Sequence, residues 1–201
     1  MSGLLRRQSS RFARTAVGLV WAIVAMPVTA VAQRVVADGT IREGALSFDG
    51  HASLGDFTGT TTTVGGELSG GELEAVRGWV EAPVQTLTTD NARRDRDLNK
   101  SMESDKYPSL RFDLDGVTPG TDWGDSVEVS LDGRFLIHGV TREVTLPATV
   151  TFGPDGVHLR SDFPLNLKDY QIGGLTKLLG VLKMYPDIRV HVSLVFDFWT
   201  P

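Results

Sequence analysis

In IRVHVSLVFDF, the run from 188 to 198, six apolar side chains fall at every second position: Ile188, Val190, Val192, Leu194, Phe196 and Phe198. Only an extended chain puts such residues on one face, because strand side chains alternate in direction. A strand with one face to bury needs a sheet around it. The same period recurs in Leu110, Phe112 and Leu114, and in Val127, Val129 and Leu131, with charged or small residues between them. Further candidate strands lie near 41–49, 57–68, 71–88, 134–138, 143–152 and 156–166. Asp132-Gly133 and Pro154-Asp155-Gly156 read as hairpin turns. About eight strands in one chain imply an antiparallel barrel or sandwich.

Two segments break the alternation. Arg94, Leu98 and Met102 stand four apart, which predicts a short one-faced helix capped by Asp90 or Asn91. Leu175, Leu178, Leu179 and Leu182 follow the i, i+3, i+4, i+7 spacing of a second amphipathic helix. Glycines 173, 174 and 180 around it would let it move as a lid. Each predicted helix runs into Tyr-Pro, at 107–108 and 185–186, and then into a strand. Proline disfavours helix for the residue before it and suits a strand start, so each Tyr-Pro predicts a helix-to-strand corner.

The first 32 residues are of another kind. Arg6, Arg7, Arg11 and Arg14 precede the apolar run from Ala16 to Val28, and Ala30-Val31-Ala32 follows. This is the pattern of a secretory signal peptide cleaved near Ala32, leaving 33–201 as one domain in the periplasm or secreted. Removing four arginines and no acid takes the net charge from −5 to −9. An acidic mature chain argues against nucleic acid as a partner. Cysteine is absent, which removes disulfides, thiolate metal sites and a lipidated cysteine.

Motifs for chemistry are sparse. The charge-dense stretch from Asp90 to Lys106 holds five basic and five acidic residues, so it reads as a solvated helix face, with a lesser role for Arg93, Arg94 or Asp95 in fixing the helix to the barrel. The four histidines show no metal-binding spacing and read as structural or surface residues. No G-x-S-x-G occurs. No catalytic or metal residue, and no cofactor, is therefore expected.

Three stretches carry a resemblance. RRDRDLNKSMESDKYPSLRF, LDGRFLIHGVTREVTLPATV and FPLNLKDYQIGG are similar to the hallmark segments of the YceI-like family, over roughly 38–198. In the N-terminal part, SFDGHASLGDFTG keeps only Phe48, His51 and the Gly55–Gly59 loop of the family pattern. The resemblance implies an all-β fold, an antiparallel eight-stranded lipocalin-like barrel with two short helices, and binding of a polyisoprenoid lipid. The expected function is a periplasmic carrier or store for a polyprenol, a quinone or a precursor, the lipid being ligand rather than cofactor. The alternatives are a small outer-membrane barrel and a lipid-modifying enzyme. Membrane contact would be at most transient, and a homodimer is compatible with this reading. Alternation and helix spacing nominate Phe48, Leu98, Met102, Leu110, Phe112, Leu136, Leu175, Leu178, Leu179, Leu182, Val190 and Val192 as the ligand-facing set.

Overall fold

The computed structural model describes residues 34–173, 176–177 and 182–198. In chain order these form β1 (Val35–Val36), β2 (Gly39–Ala52), β3 (Gly55–Thr61), β4 (Gly65–Ser69), β5 (Gly71–Glu72), β6 (Arg77–Pro83), α1 (Ala92–Ser101) and β7 (Ser109–Asp122). There follow β8 (Ser126–Ile137), β9 (Val140–Gly153), β10 (Gly156–Asn166), β11 (Thr176–Lys177), β12 (Leu182–Lys183) and β13 (Asp187–Phe198).

One edge of β2 pairs with β13. Its other edge pairs with β3 over Leu46–Ala52 and with β4 at Gly39 and Thr40. From β4 the ladder runs through β6, β7, β8, β9 and β10 and returns to β13, antiparallel throughout. The predicted strand at 57–68 is thus interrupted after Thr61, and β3 with β4 acts as one stave. Eight staves close the barrel. Closure removes the exposed sheet edges that an open sheet of this length would carry.

Two expectations need correction. Asp132-Gly133 is not a turn but lies inside β8, paired with Thr145 and Val144 of β9. Glycine is needed there for close approach, because a Cβ at Gly133 would sit 2.6 Å from the Phe112 ring. The turn falls instead at His138-Gly139, both at positive φ (51° and 74°), as a two-residue hairpin requires. Pro154-Asp155-Gly156 does make the next turn, with Gly156 at φ 131°.

The second helix is the other correction. Thr176–Lys177 and Leu182–Lys183 pair with each other as antiparallel strands, which a helix through Leu175–Leu182 cannot do. A short apolar run satisfies helical and extended patterns alike, and Gly180 weakens the helical one. Lys183 to Tyr185 then zip onto the end of β2: Ser53 N donates to Lys183 O (2.9 Å) and Tyr185 N to His51 O (2.9 Å).

Helix α1 forms where expected. Asn91 Oδ1 accepts from Arg93 N and Arg94 N, both at 3.1 Å, which satisfies amides the helix leaves unpaired. The corner after it packs Tyr107 on the β8–β9 turn, against Gly139.

The barrel has one closed end. There Val36, Leu73 and Val76, from the β1–β5 pair and the adjoining 3-10 turn, pack with Val117, Val127, Val129, Val150 and Val157. A second apolar cluster lies under α1, where Met102 meets Val84, Ile137, Leu167, Tyr170 and Ile172.

Candidate ligand-binding site

Above the valine-packed end the lumen opens into a cavity of about 530 Å³. Its floor is a set of leucines, one from each of six strands: Leu68, Leu114, Leu131, Leu146, Leu159 and Leu194. Leu194 lies opposite Leu159, and Leu131 opposite Leu146. Phe112, Phe135 and Phe163 step along the wall, with ring centroids 5.0 and 5.6 Å apart. Leu110, Ile137, Leu165 and Ile188 continue upward, and Leu98 of α1, Met102 just after it and Met184 cover part of the top.

Polar groups are kept out of the depth. Of the four buried polar or charged side chains among the described residues, Ser161 alone lines the cavity. Its hydroxyl donates to Pro147 O at 2.6 Å, so it offers a ligand no free donor. The charged residues stand at the rim, where Asp56, Arg93, Arg94, Asp97 and Lys183, with the neutral Asn91, border the opening.

The rim is held by named contacts. Phe57 faces Gly50 and Phe48 faces Gly59 across the β2–β3 hairpin; at either glycine a Cβ would collide with the ring. The two rings meet edge to face at 6.1 Å, and the Arg94 guanidinium lies 4.4 Å over Phe57. Asp95 ties α1 to the preceding loop, accepting from Thr89 N (2.8 Å), Thr89 Oγ1 (2.6 Å) and Thr88 Oγ1 (3.2 Å). These bonds, led by the Thr89 hydroxyl, hold its carboxyl below the usual aspartate range. The lesser sequence reading of Arg94 and Asp95 as fixing residues is what the contacts show.

Seven of the nominated residues line this cavity: Phe48, Leu98, Met102, Leu110, Phe112, Val190 and Val192. Leu136 does not. It is 37% exposed on the outer face, while its neighbours Phe135 and Ile137 point inward. The parity of Val127, Val129 and Leu131 continues through β8 without a break against β9, and this parity sends Leu136 outward. Leu175, Leu178 and Leu179 lie outside the described residues, and Leu182 is described only as backbone of β12. The nomination missed Leu46, Phe135, Phe163, Leu165, Ile188 and the leucine floor. Most of these were legible from the alternation once each strand's parity was carried to its end.

The histidines sit outside the lumen or under the helix. His51 Nδ1 is 2.8 Å from Asp56. His191 lies between Asp162 and Asp49, 3.0 Å from the latter. His138 Nδ1 is 3.1 Å from Tyr170 O, with the Tyr107 ring against it. Among the described residues no three His, Asp or Glu side chains converge as a metal site would need. No helix of the described residues is long and apolar enough to cross a membrane.

A closed antiparallel barrel with an apolar lumen, open at one end, belongs to the lipocalin-like class of binding barrels. Within it, the model of the YceI-like domain matches residues 34–196, and the chain belongs to that family. Several solved structures share the fold. A domain from Saccharophagus degradans, described as polyisoprenoid-binding and implicated in plant cell wall breakdown, is 15% identical, with a TM-score of 0.65 over 82% of this chain and 99% of that one. BcnA of Burkholderia cenocepacia is 12% identical, with a TM-score of 0.63 over 76% of this chain and 95% of that one. No curated protein matches the chain.

Proposed function

We propose that this protein is a carrier or store for one isoprenoid lipid, a polyprenol, a quinone or a precursor, acting in the periplasm after loss of residues 1–32. The observation that carries the proposal is the polarity of the lumen: about 530 Å³ bounded by leucines and phenylalanines, with its one buried hydroxyl already engaged. Such a space offers nothing to a polar molecule. For a hydrocarbon chain, each methylene moved out of water contributes ~0.8 kcal/mol, or roughly 3–4 kcal/mol gross per isoprene unit. Ordering a flexible chain offsets part of this. Family membership and the polyisoprenoid-binding description of the Saccharophagus domain support the same class of ligand.

The outer face speaks against the membrane-barrel alternative. It carries Arg111 with Glu81 and Asp113, Arg134 with Asp115, and Arg42 with Asp197, where a membrane barrel needs an apolar band. Binding without turnover is part of the proposal. Organic extraction of protein purified from its native host, followed by mass spectrometry, tests it. The expected result is one isoprenoid per chain. Protein that is repeatedly free of lipid and binds no added polyprenol would sink the reading.

A further inference from the structure

A cargo of this kind has almost no solubility in water, so it has to pass between a bilayer and the lumen without leaving apolar surroundings. We propose that the rim of the open end, built from Leu54, Arg93, Arg94 and Lys183, docks on the surface of an anionic lipid bilayer. This rests on the lipid-binding reading and adds the partner from which the cargo comes.

The first observation is Leu54. It stands at the tip of the β2–β3 hairpin beside the opening and is 80% exposed, the most exposed large apolar side chain among the described residues. A single exposed leucine is ordinary, but this one stands on an edge fastened by its neighbour. Its neighbour Ser53 donates through N to Lys183 O at 2.9 Å and accepts on Oγ from Lys183 N at 3.1 Å. Ala52 is bridged to Met184. The tip therefore projects beyond a strapped edge.

The second observation is charge. Arg93 and Arg94 occupy the first turn of α1, where the helix dipole disfavours cations. The Phe57 ring accounts for the placement of Arg94, helix stability does not account for Arg93, and both bring positive charge to the rim. Lys183 stands across the opening, its ammonium 5.4 Å from the Tyr185 ring. Of the acids at the rim, Asp56 is paired with His51 at 2.8 Å, which leaves Asp97 against three cations and the positive end of the helix. In a chain of net charge −5 this is a local reversal of sign. An apolar tip ringed by cations and aromatic rings fits the lipid headgroup layer. The attraction is short-ranged and screened by salt, which suits a carrier that must let go.

The chain has no cysteine, so Leu54→Cys creates a unique site for an environment-sensitive dye. Trp123→Cys, 64% exposed in the β7–β8 turn at the closed end, is the control. Full-length mature protein is mixed with phosphatidylcholine vesicles with and without about one-third phosphatidylglycerol. The dye at 54 should shift to the blue on the anionic vesicles, the dye at 123 should not, and about 0.5 M salt should abolish the shift. Lys183→Glu should weaken the apparent vesicle affinity by about five-fold or more. No shift at 54, an equal shift at 123, or equal affinity for neutral vesicles overturns the proposal. Polyprenol binding to the wild-type protein in detergent is measured separately. Binding there without a vesicle shift removes the docking and keeps the carrier; a vesicle shift without binding does the reverse.

Discussion

At the closed end of the barrel, Val117, Val127, Val129, Val150 and Val157 meet the plug of Val36, Leu73 and Val76, and all are buried. At the open end the barrel strands carry Leu110, Phe112, Phe135, Leu165 and Ile188 around a cavity. The alternation in sequence is the same in both halves. What differs is the side chain and what lies across from it. Valines, compact and stiff at χ1, pack against a plug supplied by β1, β5 and the turn after them. Long aliphatic and aromatic residues facing a partial roof enclose space instead. Hydrophobic alternation therefore specifies a wall, and the contents of the wall depend on what caps each end.

This contrast predicts that the two ends respond oppositely to the same kind of substitution. The largest effect belongs to the closed end. Phe196, near the end of β13 and opposite Val157, is 1% exposed. Phe196→Ala should lower unfolding free energy by about 3–5 kcal/mol in a urea titration, the usual cost of leaving a cavity in a packed core. Leu165→Ala already borders a void, so it should cost about 2 kcal/mol, the low end of that range. Equal losses at the two sites would mean that the two ends are packed alike.

Adding volume reverses the order. Val192→Trp should fill lumen space, weaken polyprenol binding by about ten-fold or more, and move Tm by no more than about 2–4 °C, the shift that 1 kcal/mol gives a chain this long. Val129→Trp at the closed end should overpack, costing about 1–3 kcal/mol, with little change in affinity per folded molecule. Calorimetric melts and a fluorescent polyprenol titration on both variants separate the two quantities.

How far the sequence shows this contrast depends on the element. The strands and the inward sets of β7, β8 and β13 follow from period-two alternation, and the antiparallel pairing from the turns between them; the leucine floor emerges only when each strand's parity is carried to its end. Leu136 was misassigned because strand 134–138 was started afresh at Asp132-Gly133, where a glycine kept for the Phe112 ring looks like a turn. The Leu175–Leu182 segment was misread because four leucines at helical spacing carry no sign of the β2 edge that receives Lys183 and Tyr185. The plug was not legible at all. Val35–Val36 and Gly71–Glu72 are too short to show a period, and their pairing is set by contacts some 35 residues apart along the chain. The family resemblance supplied the barrel but not which end was open.

A smaller effect tests the roof. Asn91→Ala removes the acceptor for Arg93 N and Arg94 N and should cost about 1 kcal/mol. Because α1 carries Leu98, and Met102 just after it, over the lumen, fraying its first turn should also speed release of bound polyprenol. Stopped-flow transfer to acceptor vesicles reads the rate. The same loss of stability without faster release would show that α1 only fills space.

The smallest effect concerns the β2–β13 seam, which is strapped differently at its two ends. Toward the closed end Arg42 bonds Asp197 at 2.7 Å and Asp155 O at 2.8 Å. Toward the open end His191 of β13 sits between Asp162 of β10 and Asp49 of β2, with Arg189 paired opposite Asp49 and Thr58 bonded to it. Asp162 first, then Asp49, raise the His191 pKa above its ordinary 6.5. A histidine raised on folding contributes stability that is fully present below pH 6.5 and is lost as pH climbs through the folded value. The bond from Thr58, ahead of that from His191, holds Asp49 below its ordinary 3.8, so its contribution is fully present above pH 3.8 and is lost as pH falls through the folded value. The open-end strap is thus fully made only between these limits. Raising the pH from 6 to 8 should lower hydrogen-exchange protection at Ser47–Gly50 relative to Thr40–Glu43, by a small factor because the histidine is part-exposed and screened. His191→Gln should remove the difference between the two pH values. Equal loss of protection at both ends of the seam would assign the pH response to the barrel as a whole and not to its open end.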